Sequence, residues 1–323
     1  MKRREFISLV GSMVFAWPSC SNAEGVGKVW RVGLIPGPRG GVSQKELERR
    51  LVALGYVPDK NIILEFSEPN PPIVEDAIAS LLPTSDLLVV AGTIGGVAAK
   101  KLVTSKPVVF IAVGAPVDIG LVESLSRPGG NLTGITFEAA TETYAKRLQI
   151  LKEIMPELKR VAVLQAKDDP NVKFAMASLE PAAPLLGVQL FPVAVSSPDK
   201  IAGAFDEIKR SQSEALLVIA GLFTLVNGRQ IAALALSHHL PSCHAFKEVV
   251  AAGGLVSLGP DIPALWWQAA GLVDKIIRGT EPRDLPVQQP TRYELAINLN
   301  TAKALGLDSL PQTLVARADI VIE

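Results

Sequence analysis

Cysteine is almost absent from the 323 residues: Cys20 and Cys243 are the only two. That is too few for a disulfide framework or for a metal site built from cysteine alone. A surplus of one charge is missing as well, because 32 Lys+Arg stand against 32 Asp+Glu. Without excess cations the chain lacks the usual means of displacing counterions from phosphates, so nucleic acid is not an expected partner. The familiar catalytic and nucleotide signatures are also missing. There is no G-x-S-x-G elbow, no H-E-x-x-H pair, no G-x-G-x-x-G run and no Gly-Lys-Ser/Thr phosphate loop. The adjacent His238 and His239 diverge on a helix and His244 is only five residues further on, so neither a metal nor any other cofactor is expected. What the chain does have is apolar bulk, 48% of its residues, enough to offset the entropy of ordering a folded core. Its length predicts about two domains.

The N-terminus reads as an address. Lys2, Arg3 and Arg4 precede an apolar stretch from Phe6 to Trp17, and Ser21-Asn22-Ala23 supplies small residues for cleavage after Ala23. Residues 1–23 are therefore expected to be an export signal, too short in its apolar part to span a bilayer. Arg3-Arg4-Glu5-Phe6-Ile7 resembles a twin-arginine signal. Lipid anchoring at Cys20 is the weaker alternative, because Trp17 and Pro18 match a lipobox poorly.

From Val29 onward short β-branched runs alternate with longer amphipathic stretches, the rhythm of an α/β fold with parallel sheets. The pattern predicts strands at Trp30–Ile35, Ile62–Phe66, Leu87–Ala91, Val108–Val113, Val161–Gln165, Val188–Val193, Ala215–Ala220 and Leu255–Leu258. It predicts helices at Gln44–Leu54, Ile73–Leu82, Gly95–Val103, Thr141–Met155, Phe174–Leu186, Ile201–Ser211, Gly228–Ser237 and Ala264–Ile277. The rhythm pauses at Gly129-Gly130-Asn131-Leu132-Thr133-Gly134 and breaks again near 246–254 and 280–290. These pauses predict a chain that passes between two lobes more than once. Lobe 1 is expected from 28–133 plus about 250–280, and lobe 2 from 134–249 plus about 281–323.

In open parallel sheets ligands bind beyond the carboxyl ends of the strands. That points to the loop 36–41, with Pro38, Gly41 and the following Val42, and to Gly92-Thr93 at the start of a helix. Thr93 has two readings there, as a helix cap or as a ligand contact. The Lys167-Asp168-Asp169-Pro170-Asn171 turn offers partners for a ligand ammonium, or is simply a solvated turn. Cys243 has no recognisable acid–base partner. Trp266-Trp267, after Asp261-Ile262-Pro263, reads as packing with one ring available to stack on a ligand.

Several segments match a known family. Val108-Val109-Phe110-Ile111-Ala112-Val113-Gly114 and the run Gly120 to Gly134, with its Arg127-Pro128-Gly129-Gly130-Asn131 core, resemble the ABC transporter substrate-binding proteins of the tryptophan/tyrosine type. Glu248 to Leu255, Asp284 to Leu295 and Leu299-Asn300-Thr301-Ala302-Lys303-Ala304-Leu305-Gly306-Leu307 carry the same likeness across the whole mature chain. The resemblance implies a type I periplasmic binding fold, with two Rossmann-like lobes joined by a three-crossover hinge. It implies a monomeric, non-enzymatic periplasmic protein that closes on a small solute and delivers it to an inner-membrane permease. An exported protein that presents its solute to a receptor, or an exported enzyme on the same fold, is the alternative. The expected cleft contains Pro38, Gly41, Val42, Gly92, Thr93 and Ala115 from lobe 1, and Asp169, Asn171, Leu222, Phe246 and Asp261 from the rest of the chain. The family usually has Gly-Asp-Pro where this chain has Gly114-Ala115-Pro116. A carboxylate expected near an amino-acid ligand is therefore replaced by a methyl group.

Overall fold

Two sheets, each built from consecutive strand–helix units, organise the molecule. The computed structural model describes residues 28–35, 42–67, 74–138, 142–307 and 309–323. The export-signal reading of 1–23, with Cys20, lies outside them.

The first pass of the chain runs β1 (Trp30–Ile35), α1 (Val42–Ala53), β2 (Ile62–Phe66), α2 (Val74–Leu81), β3 (Leu87–Ala91), α3 (Gly92–Leu102), β4 (Val108–Val113) and β5 (Leu132–Thr136). These strands form an all-parallel sheet in the order β2-β1-β3-β4-β5. Leu87, Leu88, Val89 and Val90 are fully buried, as a central strand covered by helices on both faces requires.

The chain then crosses to the second lobe. There it runs α4 (Thr143–Ile154), β6 (Arg160–Ala166), α5 (Asn171–Leu185), β7 (Gln189–Val195), α6 (Ile201–Arg210), β8 (Ala215–Val218), α7 (Leu222–Val226), α8 (Gly228–Ser237), β9 (Ser242–His244), α9 (Lys247–Ala251) and β10 (Val256–Pro260). The long helix α10 (Ile262–Ile277) returns to pack on α1, β4 and β5. Finally β11 (Tyr293–Asn298), α11 (Leu299–Ala304), α12 (Gln312–Ala316) and β12 (Ile320–Ile322) complete a seven-stranded sheet in the order β12-β11-β10-β9-β8-β6-β7. Only β10 and β11 pair antiparallel in it.

Three boundaries differ from the sequence reading. Residues 129–134 read as a pause, yet Leu132–Thr136 is strand β5 of the first sheet. Its glycine misled the reading: Gly134 is there because a Cβ would lie 2.1 Å from the Phe110 carbonyl oxygen, so close packing of strands demands it. Of the segment 250–280, expected wholly in lobe 1, β10 belongs to the second sheet and only α10 returns. Conversely, residues near 288, expected in lobe 2, pair with β5: Gln288 bridges Ile135, and the Thr136 N–H donates to the Gln288 carbonyl at 2.9 Å. Short apolar runs announce strands but not the sheet they join.

The chain therefore passes between the lobes three times: after Phe137-Glu138, at Asp261, and at 289–292. Side chains fasten these crossings to one another. The Arg147 guanidinium, fully buried on α4, donates to Glu138 in the first connection at 3.0 Å and through Nε to the Leu258 carbonyl just before the second at 2.8 Å. Lys247 holds Asp261 of the second at 2.8 Å and Glu294 just after the third at 2.7 Å. Burial opposes the charge on Lys247, but these two carboxylates outweigh it and raise its pKa.

His244 ends β9 at 2% exposure, its Nε2 3.0 Å from the Ser242 hydroxyl. Burial pushes its pKa down to about 4. The native state keeps it neutral while the unfolded chain takes up a proton below its ordinary value near 6.5. Its contribution is therefore intact above that pH and declines as pH falls toward 4, by roughly 3 kcal/mol in total. Urea unfolding at pH 7.5 and 4.5 should show that loss, and His244→Asn should flatten it; an unchanged slope in the variant would assign the dependence to other groups.

Candidate ligand-binding site

The carboxyl ends of both sheets point at one another across the cleft. After β3 comes Gly92-Thr93, after β4 Gly114, after β6 Asn171, after β8 Ala220-Gly221-Leu222, and after β9 Phe246. All of them line a single cavity of about 230 Å³. Ser43 and Gln44 at the start of α1, Phe137 in the first connection, and Ile262 and Trp266 on α10 complete its wall. Both lobes and the hinge thus contribute. The lobes also touch: a Cβ added at Gly114 would lie 2.2 Å from Asn171 Oδ1, and one at Gly92 would lie 3.7 Å from the Leu222 Cβ.

The wall is largely apolar, with the rings of Phe137 and Phe246 5.4 Å apart and tilted. Its polar groups are few and mostly committed. The Thr93 hydroxyl accepts from the Gly114 N–H at 3.1 Å, tying the ends of β3 and β4 together. It makes no helix cap; α3 begins after Ala91 without a side-chain cap. The Asn171 amide donates to the Tyr144 hydroxyl at 2.8 Å and to the Ala220 carbonyl at 2.9 Å. Gln44 is 6% exposed, and its Oε1 is buried without a hydrogen-bond partner. At the end of β4 the register shifts between Ile111 and Val113, and Ala112 (φ 56°) and Ala115 (φ 42°) are left-handed. Such backbone is costly for a residue with a Cβ and concentrates at functional sites.

Of the residues expected from sequence, Gly92, Thr93, Asn171, Leu222 and Phe246 meet in this cavity, and Ala115 lines a smaller one beside it. Pro38 and Gly41 lie outside the described residues; Val42 opens α1 at the edge of that segment. Asp169 does not line the cavity. Its Oδ1 accepts the Asn171 N–H at 2.9 Å, and its carboxylate stands against Gly221, with burial raising its pKa. Asp261 is likewise turned away, held by Lys247 at the hinge. Both acidic residues therefore shape the backbone around the cavity. Trp266 is the ring that lines it, whereas Trp267 stacks under Arg49 and Arg50 of α1, 4.7 and 5.0 Å from its centroid. Gln44, Phe137, Leu225 and Ile262 were not anticipated; nothing in an isolated sequence marks a hinge residue or the first turn of α1 as cleft lining.

No group of three or more His, Cys, Asp or Glu among the described residues is arranged to hold a metal ion. Cys243 is fully buried, with burial pushing its thiol up to about 12, so it is neither exposed nor ionised for nucleophilic work. None of the helices among the described residues is long and apolar enough to cross a membrane.

Comparison with known proteins agrees with this architecture. Residues 47–322 match the model of the family described as ABC transporter substrate binding protein. The Tyrosine-binding protein of Clostridioides difficile is 25% identical over 280 residues, covering 86% of this chain and 80% of that protein. A crystal structure of a conserved domain protein from Vibrio cholerae superposes with a TM-score of 0.83 at 26% identity, over 91% of this chain and 99% of the other. A Streptococcus pneumonia ABC domain solved in complex with L-Trp shares the fold, with a TM-score of 0.77 at 22% identity, over 91% of this chain and all (100%) of the other.

Proposed function

Since the chain belongs to the ABC transporter substrate-binding protein family, whose work is to hold a small ligand, we propose that it is exported to the periplasm and closes its two lobes around an apolar solute for delivery to an inner-membrane permease. One observation carries this reading: the cavity is walled from both lobes and from the hinge at once. Contacts to both walls exist only when the lobes are together, so a ligand favours the closed arrangement by the free energy of those simultaneous contacts. Three aromatic rings, Phe137, Phe246 and Trp266, favour a solute with a flat or branched apolar body. The crossings at Phe137-Glu138, 261 and 289–292 are the expected pivots, and the chain works as a monomer, releasing its solute unaltered.

The test is direct. Small-angle scattering should show the protein contracting when a solute identified by thermal shift is added; a verified ligand that leaves the radius of gyration unchanged would reject closure. Trp266 supplies a second readout, because ligand should alter its fluorescence. Trp266→Phe should abolish most of that change, whereas Trp267→Phe should preserve it; the opposite result would place the ligand elsewhere.

A further inference from the structure

Among the described residues, no Asp, Glu, Lys, Arg or His lines the main cavity. The polar side chains that do line it, Ser43, Gln44, Thr93 and Asn171, are all neutral. Two of them are already spent on the protein: the Thr93 hydroxyl accepts the Gly114 N–H, and the Asn171 amide donates to the Tyr144 hydroxyl and the Ala220 carbonyl. Charges near the cleft are matched elsewhere. Glu138 is paired with the buried Arg147, Lys247 is held between Asp261 and Glu294, and Asp169 accepts the Asn171 N–H. Lys45 and Glu48 of α1 line a separate groove with Pro58, Asp59 and Phe66. None of these charged groups lines the cavity.

A charged group carried into an apolar chamber loses its hydration, and only an ionic partner or several hydrogen bonds make good that loss. An aromatic cage for a cation is not formed either, because the Phe137 and Phe246 rings pack on each other with centroids 5.4 Å apart and leave no gap between them. The uncapped first turn of α3 is the feature best suited to an anion, and it acts there without help from a cationic side chain. Resting on the solute-binding reading, we propose that the cavity selects aromatic solutes with no formal charge and discriminates against the amine, acid and amino-acid forms of the same ring. The selectivity comes from the wall's lack of a counter-charge.

The experiment is calorimetry on the purified protein with 3-methylindole, tryptamine, indole-3-acetate and L-tryptophan, which place no charge, a cation, an anion and a zwitterion on one ring system. 3-Methylindole should bind about tenfold or more tightly than each of the others, since each added charge is desolvated without a partner. In the same way p-cresol should outbind tyramine and 4-hydroxyphenylacetate. Leu222→Asp sets a carboxylate in the wall, and should shift the ratio of tryptamine to 3-methylindole affinity about tenfold toward the amine. If that variant does not fold, the wild-type comparison decides. A charged member of either series that binds as tightly as its neutral parent, failure of both neutral probes to bind, or an unaltered ratio in folded Leu222→Asp would each overturn the assignment. These outcomes leave solute binding itself intact. That broader reading falls only if no solute of any class contracts the protein.

Discussion

Gly114→Val is expected to weaken ligand binding by about 10–100-fold while leaving the melting temperature of the ligand-free protein within a degree or two. Gly114 ends β4 in lobe 1, and a Cβ placed there would lie 2.2 Å from Asn171 Oδ1 in lobe 2. Separated lobes have room for the valine side chain, but closed ones do not. Relieving a forced overlap of this kind costs typically 1–3 kcal/mol, and about 1.4 kcal/mol corresponds to each factor of ten in affinity. The cost falls on the closed arrangement alone, so it is read in the dissociation constant and in the loss of ligand-induced contraction. Unchanged affinity in a folded Gly114→Val protein would show that binding does not require this approach of the lobes.

The second large effect concerns stability. Arg147→Met is expected to cost about 3–5 kcal/mol, because it leaves the Glu138 carboxylate buried without its cation. Burial already raises the pKa of Glu138, with Arg147 holding it back, and burial opposes the Arg147 charge while Glu138 sustains it. Arg147 also stacks over Tyr144, 4.5 Å from the ring centroid, and bonds the Leu258 carbonyl, so its loss loosens the junction of two connections. Replacing both partners, Glu138→Leu with Arg147→Met, should recover a large part of the loss, since no unpaired charge then remains. Urea unfolding of the two variants measures this. A single substitution costing less than about 1 kcal/mol would show that the pair is not held as buried ions.

Four strands of the first sheet were legible in the sequence to the residue: Trp30–Ile35, Ile62–Phe66, Leu87–Ala91 and Val108–Val113 stand as the pattern of short, mostly apolar runs predicts. Others were not. Leu132–Thr136 and Ser242–His244 are short and mixed, and they are strands because neighbours on both or one side recruit them. The same contrast governs the site. Gly92, Thr93 and Asn171 follow strands whose carboxyl ends any parallel sheet turns toward its ligand. Asp169 and Asp261 attracted notice as charges, but charge does not reveal whether a carboxylate faces a cavity or braces a loop, and here both brace. Glu138 was overlooked for the converse reason: one acidic residue between strand and helix is unremarkable until three dimensions place the buried Arg147 guanidinium against it.

The pairing of Gln288 with Ile135 has a consequence for how the chain survives the journey it is proposed to make. A terminal strand such as β5 offers a row of open amides and carbonyls on which a second molecule can stack. By laying its own distant stretch along that border, the polypeptide caps the ledge with itself. The seal forms only once α10 has returned to the first lobe and brought the segment after it alongside β5, so a chain cut short before Val287 would leave that flank bare.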